Sequence, residues 1–296
     1  MNESTTLTLN QQDEVSLFGD WKNYPRKQLP KLPNYFASEF LTTHNKAIII
    51  GGRSSNYPRT FKCLKLHHGS WKEHSTFNEE RICASAITTD IATFIFGGTF
   101  HDRSYEYLPN DSTSWKIGES EIPIEFQQGC AMYIPSDKYI WLLGSSWNMR
   151  SIIKFDMYAH TFQVLPLQLK EGRYQHRCIV IPGTKNILIT GGRTTGRSYL
   201  NPTEILDTEN EVIVSGPPMN QSRAEHGIGI INIKGRERIV VFGGIGTNAR
   251  RCLDSVEVYD TKTQKWTLTN LKMKKAGVFK ANLCVKGKTI SDAMKY

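Results

Sequence analysis

Arginine is the residue type whose spacing in this sequence points to chemistry. Twelve of the 15 arginines either follow one of five regularly spaced glycines or precede the apolar run that leads to the next one. The 22 lysines show no such bias. Arginine forms forked, charge-assisted hydrogen bonds with carboxylates and phosphates, whereas lysine acts as a looser point charge. The pattern therefore predicts recognition of an acidic group, and the net charge of +9 agrees with it.

Cysteine and histidine show no spacing typical of a metal or catalytic site. None of the six cysteines lies in a C-x-x-C pair. The polar N-terminal residues contain no secretory signal, and no run reaches the roughly 18 apolar residues of a membrane helix. We therefore expect reduced thiols in a cytoplasmic protein with no membrane segment. No glycine-rich phosphate loop opens a helix, so we predict no catalytic residue, no metal and no cofactor.

The spaced glycines mark an internal repeat. Five apolar runs end at Gly51, Gly97, Gly144, Gly191 and Gly243, at intervals of 46, 47, 47 and 52 residues. Each run has the length and the Ile, Val and Phe content of a buried strand. An aromatic marker recurs in phase, with one missing position near Val212; the markers are Trp21, Trp71, Trp115, Phe162 and Trp266. Four strands in about 48 residues are typical of one β-propeller blade.

Three cysteines keep a similar distance from these glycines. Cys83 and Cys130 lie 14 residues before Gly97 and Gly144, and Cys178 lies 13 residues before Gly191. This spacing predicts one shared position on the first, innermost strand of each repeat. A small apolar side chain packed near the axis explains it without a metal.

The repeat resembles the kelch family. The matching features are the two glycines after the second strand and the segment SVEVYDTKTQKW, and the third repeat departs with Gly144-Ser145. The resemblance implies an all-β propeller with four antiparallel strands per blade, and the five marked repeats together with the two chain ends predict six blades. We expect residues 1–296 to form one domain. Its sixth blade would come from pairing strands of both termini, which closes the ring and removes exposed sheet edges.

The resemblance also assigns the arginines to one face. In kelch proteins that bind peptides, the loops after the glycine pair and the loops entering each first strand share a face. An arginine entering the first strand often bonds neighbouring blades, so Arg81 and Arg223 are discounted. Arginine and aromatic side chains among small polar ones are typical of binding hot spots. The predicted binding residues are Arg53, Arg59, Arg103, Arg150, Trp147, Arg177, Arg193, Arg197, Tyr199, Arg250 and Arg251.

The resemblance implies a non-enzymatic, monomeric interaction module. It would bind an acidic or phosphorylated peptide segment of a partner protein, as a scaffold or as a substrate adaptor of ubiquitin ligases. Actin binding is a further property of the family. A nucleic-acid partner is disfavoured because the sequence contains no recognisable nucleic-acid-binding module. The alternative is an enzyme similar to a mutarotase that acts on an anionic sugar at the same face, with Glu79, Asp102 or Glu225 as its carboxylate.

Overall fold

The computed structural model shows an all-β chain. It describes residues 6–9, 15–18, 35–36, 39–43, 46–51, 53–54, 62–67, 70–99, 101–196, 198–233, 236–246, 252–273 and 282–284. Within these ranges no helix is present, and so no helix there is suited to crossing a membrane. The prediction of an all-β fold is therefore confirmed for this part of the chain.

Four four-stranded antiparallel sheets and one five-stranded sheet follow one another along the described chain, and we number them blades 1 to 5. Blade 1 holds β4 (Glu39–Thr43), β5 (Lys46–Ile50), β7 (Lys62–His67) and β8 (Ser70–Thr76). Blade 2 holds β9 (Ser85–Thr88), β10 (Ala92–Phe96), β11 (Tyr105–Pro109) and β12 (Lys116–Ile117). Blade 3 holds β13 (Cys130–Tyr133), β14 (Tyr139–Leu143), β15 (Ile152–Asp156) and β16 (Thr161–Val164).

Blades 4 and 5 continue the same order. Blade 4 holds β17 (Arg177–Val180), β18 (Asn186–Thr190), β19 (Thr203–Asp207) and β20 (Val212–Gly216). Blade 5 holds β21 (Gly227–Ile233), β22 (Arg236–Phe242), β23 (Ser255–Asp260) and β24 (Lys265–Lys272). The first strand of each blade contacts the first strand of the next. The first strands therefore lie innermost, around a common axis.

The remaining strands are short. β1 (Thr6–Leu9) pairs with β2 (Val15–Phe18), and β3 (Tyr35–Phe36) pairs with β6 (Arg53–Ser54). β25 (Asn282–Cys284) runs parallel to β21 as a fifth strand of blade 5, and it also contacts β4 of blade 1. In the described part of the chain, β25 and the N-terminal strands β1 and β2 form no ladder with each other.

Burial decreases from the inner strands to the outer ones. Every residue of β10 is buried, whereas both residues of β12 and most of β16 and β20 are exposed. Inner strands are covered by blades on both sides, which explains their continuous Ile, Leu, Val and Phe runs. Aromatic rings fill the space between blades 2 and 3, where Phe155 lies 5.3 Å from Phe96 and 4.9 Å from Tyr105 between ring centroids.

The glycine pairs are required by close contacts between loops. Gly144 has φ 54°, and a Cβ there would lie 2.6 Å from the carbonyl oxygen of Arg173 in the next blade. Gly192 has φ 104°, and a Cβ there would lie 2.9 Å from the carbonyl oxygen of Tyr174 in its own blade. Any larger residue would be strained and would clash. The pair therefore lets each second strand end directly against the entry to the next blade.

A buried arginine–glutamate pair recurs in blades 2, 4 and 5. In blade 4, Arg173 donates from Nη2 to Glu204 at 2.6 Å and from Nη1 to the carbonyl oxygen of Gly191 at 2.8 Å. Glu204 also accepts the backbone N–H groups of Lys170 and Glu171, at 2.7 and 3.1 Å. The pair ties the incoming connection to the third strand of the blade. The equivalent pairs are Arg81 with Glu106 and Arg223 with Glu257.

Blade 3 replaces the whole polar set with apolar residues. Phe126 takes the arginine position, since its carbonyl oxygen accepts the N–H of Gly98 as that of Arg223 accepts the N–H of Gly192. Ile153 takes the glutamate position on the third strand. Pro123, which has no N–H, stands where Lys170 donates its amide in blade 4. Phe126 and Ile153 are buried in one core cluster, so the guanidinium and one of the two amide donors are removed together with the carboxylate.

The cysteines do not share one repeat position, and that prediction is wrong. Cys130 opens β13, Cys178 is the second residue of β17, and Cys83 lies two residues before β9. The turn between the first two strands spans 89–92 in blade 2 but 134–139 in blade 3. Equal distances from the glycine therefore reach different places along the first strand.

Candidate functional site at the axial ring

Four loop residues form an open series of three hydrogen bonds around part of the axis. Cys83, Gln128, Gln175 and Glu225 each lie two residues before the first strand of their blade. The N–H of Gln128 donates to the carbonyl oxygen of Cys83 at 2.9 Å, that of Gln175 to Gln128 at 2.8 Å, and that of Glu225 to Gln175 at 2.9 Å. We name these four residues the axial ring. Because they lead into the innermost strands, they lie around part of the axis on the face of the glycine-pair loops.

The axial ring holds four non-glycine residues in a left-handed conformation. Their φ angles are 60° at Cys83, 57° at Gln128, 56° at Gln175 and 51° at Glu225. Such a backbone costs a non-glycine residue about 1 kcal/mol or more. Glycine would avoid this cost at each position, and all four side chains are half-buried. Because this conformation recurs in four blades with different side chains, the hydrogen bonds between blades account for it.

Arg193 is fixed beside the axial ring in blade 4. Its backbone exchanges two hydrogen bonds with Tyr174, at 2.9 and 3.1 Å. Its guanidinium lies 5.7 Å from the ring centroid of Tyr174 and 5.1 Å from that of Tyr199, and Nη1 donates to Gln175 at 3.3 Å. Nε is buried and has no hydrogen-bond partner among the described residues. The two tyrosines therefore hold the guanidinium in place through cation–π contact.

The same loop position carries no arginine in blades 2, 3 and 5. The residues that follow the glycines and bond the entry loop are Thr99 in blade 2, Ser146 in blade 3 and Ile245 in blade 5. Within the described ranges, blade 1 has Arg53 there, paired through its backbone with Phe36, and blade 4 has Arg193. The repeat geometry thus does not require Arg193, which makes its charge available for binding.

Trp147 projects from a braced loop of blade 3, and 68% of its surface is exposed. The fully buried Ser145, which replaces the second glycine, donates from Oγ to the carbonyl oxygen of Glu125 at 3.0 Å. The same Oγ accepts the N–H groups of Trp147 and Asn148, at 3.2 and 3.1 Å. Ser145, which stands in place of the second glycine, therefore fixes the loop backbone that carries the exposed indole ring.

The other predicted arginines have different environments. Arg103 and Arg150 are exposed at equivalent positions toward the outer strands, where their carbonyl oxygens accept the N–H groups of Ile122 and Leu169. The guanidinium of Arg103 donates to two backbone carbonyl oxygens. Arg177 is buried at the start of β17 and donates to the carbonyl oxygen of His226 at 3.1 Å. Arg53 lies on β6; Arg59, Arg197, Arg250 and Arg251 lie outside the described residues.

The structure thus brings together part of the predicted set. Arg177, Arg193 and Tyr199 lie beside the axial ring, whereas Arg103 and Arg150 lie farther out on the same face. The sequence reasoning missed Cys83, Gln128 and Gln175, because the shared position carries chemically different residues. The available signal was their common offset from the start of each first strand.

The candidate carboxylates differ in their surroundings. Glu79 accepts Nη2 of Arg81 at 2.6 Å and Oγ of Ser104 at 2.7 Å, and Nδ1 of the partly exposed His101 lies 3.4 Å from it. Glu225 belongs to the axial ring, and Asp102 bonds Phe126 through its backbone. No cluster of three His, Cys, Asp or Glu side chains in the described ranges is arranged to hold a metal ion.

Two buried histidines lie just below the axial ring. His176 and His226 directly follow Gln175 and Glu225, and both are fully buried. Nε2 of His226 lies 2.9 Å from Oγ1 of Thr190, whereas both ring nitrogens of His176 lack a hydrogen-bond partner among the described residues. Burial, followed by the charges of neighbouring arginines, holds the pKa of both histidines well below the ordinary value. Both side chains are therefore neutral in the fold.

Comparison with known proteins supports the repeat assignment. Residues 235–269 match a family model described as the Kelch motif. No curated protein matches the sequence. Among solved structures, that of YjhT is similar over 84% of this chain and 87% of that chain, with a TM-score of 0.70 and 12% sequence identity. At this identity the likeness concerns the fold.

The likeness corrects one prediction from the sequence. YjhT is an enzyme, a mutarotase, so this fold does not exclude catalysis. The prediction that the chain is not an enzyme is therefore wrong as an exclusion. Blade 5 thus carries a match to the Kelch motif, and the fold of the chain is similar to that of the YjhT structure.

Proposed function

We propose that the protein binds an acidic or phosphorylated segment of a partner protein at the axial ring, with Arg193 as the main anchor. This proposal depends on the contacts of the Arg193 guanidinium. Two tyrosines and Gln175 hold its guanidinium, and no carboxylate among the described residues pairs with it. The buried Arg81, Arg173 and Arg223 each have a glutamate partner instead.

A held arginine binds more tightly than a mobile one. A hydrogen bond to a charged group contributes about 1.5–3 kcal/mol, and binding does not have to order a side chain that the fold has already ordered. Trp147 adds an exposed aromatic surface on a braced loop of the same face. An arginine with a nearby rigid aromatic residue is typical of protein-binding hot spots.

The test is a selection from displayed random 12-residue peptides on the wild-type protein, followed by fluorescence polarisation with the selected peptides. We expect enrichment of Asp and Glu, and a roughly tenfold or greater loss of affinity in Arg193→Gln. Arg236→Gln is the matched control, because Arg236 is exposed at the far end of β22. Enriched peptides without acidic residues, or equal affinity in both variants, would overturn the proposal.

A second candidate function is an enzyme that acts on an anionic sugar at the same face. The likeness to YjhT favours it, and so does the contact between Glu79 and His101, since a carboxylate beside an imidazole can orient it for proton transfer. The test is anomer equilibration of sialic acid followed by proton NMR. A rate that depends on the protein and falls in His101→Gln supports this function, and an unchanged rate excludes it for this sugar.

We also propose that residues 1–296 form a single six-bladed, monomeric propeller that acts as a scaffold or substrate adaptor. The position of β25, which pairs with β21 and contacts β4, supports ring closure. Removing residues 282–296 should then lower the thermal midpoint by several degrees, because the edges of blades 1 and 5 become exposed. An unchanged midpoint contradicts closure through β25.

A further inference from the structure

Two opposite charges flank Gln175 without forming an ion pair. Nη1 of Arg193 donates to the side-chain oxygen of Gln175 at 3.3 Å. The backbone N–H of Glu225 donates to the carbonyl oxygen of Gln175 at 2.9 Å. The half-buried carboxylate of Glu225 makes no hydrogen bond or ion pair with the described residues. Arg193 and Glu225 therefore both bond Gln175, the first through its guanidinium and the second through its backbone N–H, and the two charges do not pair with each other.

The fold keeps these two charges apart. The rings of Tyr174 and Tyr199 hold the guanidinium of Arg193. The backbone of Glu225 is held at φ 51° by the hydrogen bond of the axial ring. By contrast, Arg173 of the same entry loop pairs directly with Glu204 of β19 at 2.6 Å.

Separated charges in a half-buried site are incompletely compensated. Each group has lost part of its water without gaining a partner of opposite charge. A ligand that carries the complementary charges at a matching separation would satisfy both groups at once. A purely acidic ligand would satisfy Arg193 but would be repelled by Glu225.

We propose that the axial ring selects a dipolar segment. A carboxylate or phosphate would bind Arg193, and a neighbouring ammonium or guanidinium group would bind Glu225. The amides of Gln128 and Gln175, which offer both donors and acceptors, would bond the ligand backbone between the two charges. This inference rests on the proposed function and specifies the charge pattern of the partner.

The experiment uses synthetic peptides on a Gly/Ser background, measured by fluorescence polarisation. One set carries a single Glu, and a second carries Glu and Lys separated by one to five residues. A third set carries Glu near a free or an acetylated N-terminus, which separates a side-chain cation from a terminal one. The proteins are wild type, Glu225→Gln and Arg193→Gln. The matched controls are Glu237→Gln and Arg236→Gln, at the far end of β22.

The expected result is a preference for one spacing. Wild type should bind that Glu/Lys peptide, or the free N-terminus, about tenfold more tightly than the Glu-only peptide. Glu225→Gln should abolish the preference and bind the Glu-only peptide more tightly. The charge reversal Glu225→Lys should prefer a Glu/Glu peptide of the same spacing. The two control variants should behave as wild type.

The failures of the two proposals are distinguishable. Equal binding of Glu-only and Glu/Lys peptides by wild type, or an intact preference in Glu225→Gln, overturns the dipolar site. If Arg193→Gln still weakens acidic peptides in that case, the proposed function stands alone. If Arg193→Gln changes no peptide, both proposals fail.

Discussion

Replacing Glu204 by isoleucine should strongly destabilise the protein. Glu204 is 2% exposed and accepts three hydrogen bonds, from Arg173 at 2.6 Å and from the backbone of Lys170 and Glu171 at 2.7 and 3.1 Å. The substitution leaves a fully buried guanidinium without its counter-charge. Breaking a buried pair in this way costs about 3–5 kcal/mol, a large share of a typical unfolding free energy of about 5–15 kcal/mol.

Blade 3 shows which further substitutions should compensate for the loss of Glu204. The triple variant Lys170→Pro, Arg173→Phe and Glu204→Ile copies the residues that blade 3 has at these positions. It removes the charge, the counter-charge and one amide donor together. We expect it to recover at least about half of the loss of the single variant, since replacing a whole buried pair by apolar residues is often neutral.

The assay is urea denaturation followed by tryptophan fluorescence. Glu209→Ala is the matched control, because Glu209 forms an exposed pair with Lys185 on the turn of the same blade and should cost less than about 0.5 kcal/mol. A loss below about 1 kcal/mol for Glu204→Ile would refute the assignment of the pair as a structural lock. A triple variant less stable than the single one would refute the account of blade 3.

Three further predictions concern the buried histidines, the loop glycines and Tyr199. Burial lowers the pKa values of His176 and His226 in the fold, so the unfolded state binds more protons below about pH 6.5. The free energy of unfolding should then fall by about 1.4 kcal/mol per pH unit for each histidine. Urea midpoints at pH 7 and 5.5 measure this loss, and an unchanged midpoint contradicts it. Gly144→Ala should lower the thermal midpoint far more than Gly183→Ala, because both glycines have positive φ but only Gly144 faces a carbonyl oxygen at 2.6 Å. Tyr199→Ala should weaken acidic peptides several-fold while Tyr199→Phe retains binding, since the ring face holds the guanidinium; equal loss in both points to the hydroxyl instead.

The sequence predicted the repeating strands well because they are a local property. The five apolar runs became β5, β10, β14, β18 and β22, each ending directly before its glycine. The missing aromatic marker near Val212 coincides with the start of β20. Hydrophobic content and turn residues determine such strands, and neither depends on what the neighbouring blade does.

The fate of each arginine could not be predicted from its position alone. Arg173 and Arg193 both lie in loops of blade 4 on the same face, yet one is buried and the other is partly exposed. The difference is a glutamate on the third strand, Glu204, which lies 31 residues after Arg173. Pairing at such a distance is set by the fold and not by local spacing. The same holds for the axial ring, whose conformation depends on hydrogen bonds between blades.

The repeats also provide an internal control for reading function. A feature that recurs in several blades, such as the arginine–glutamate pair or the glycine pair, is explained by packing between blades. A feature confined to one blade needs another reason, because its neighbours fold without it. Thr99, Ser146 and Ile245 donate the same backbone hydrogen bond as Arg193 without its charge, whereas blade 1 has Arg53 at this position. Arg193 is accompanied by Tyr174 and Tyr199, and this cluster, not the total number of arginines, is the strongest argument for a binding site at the axial ring.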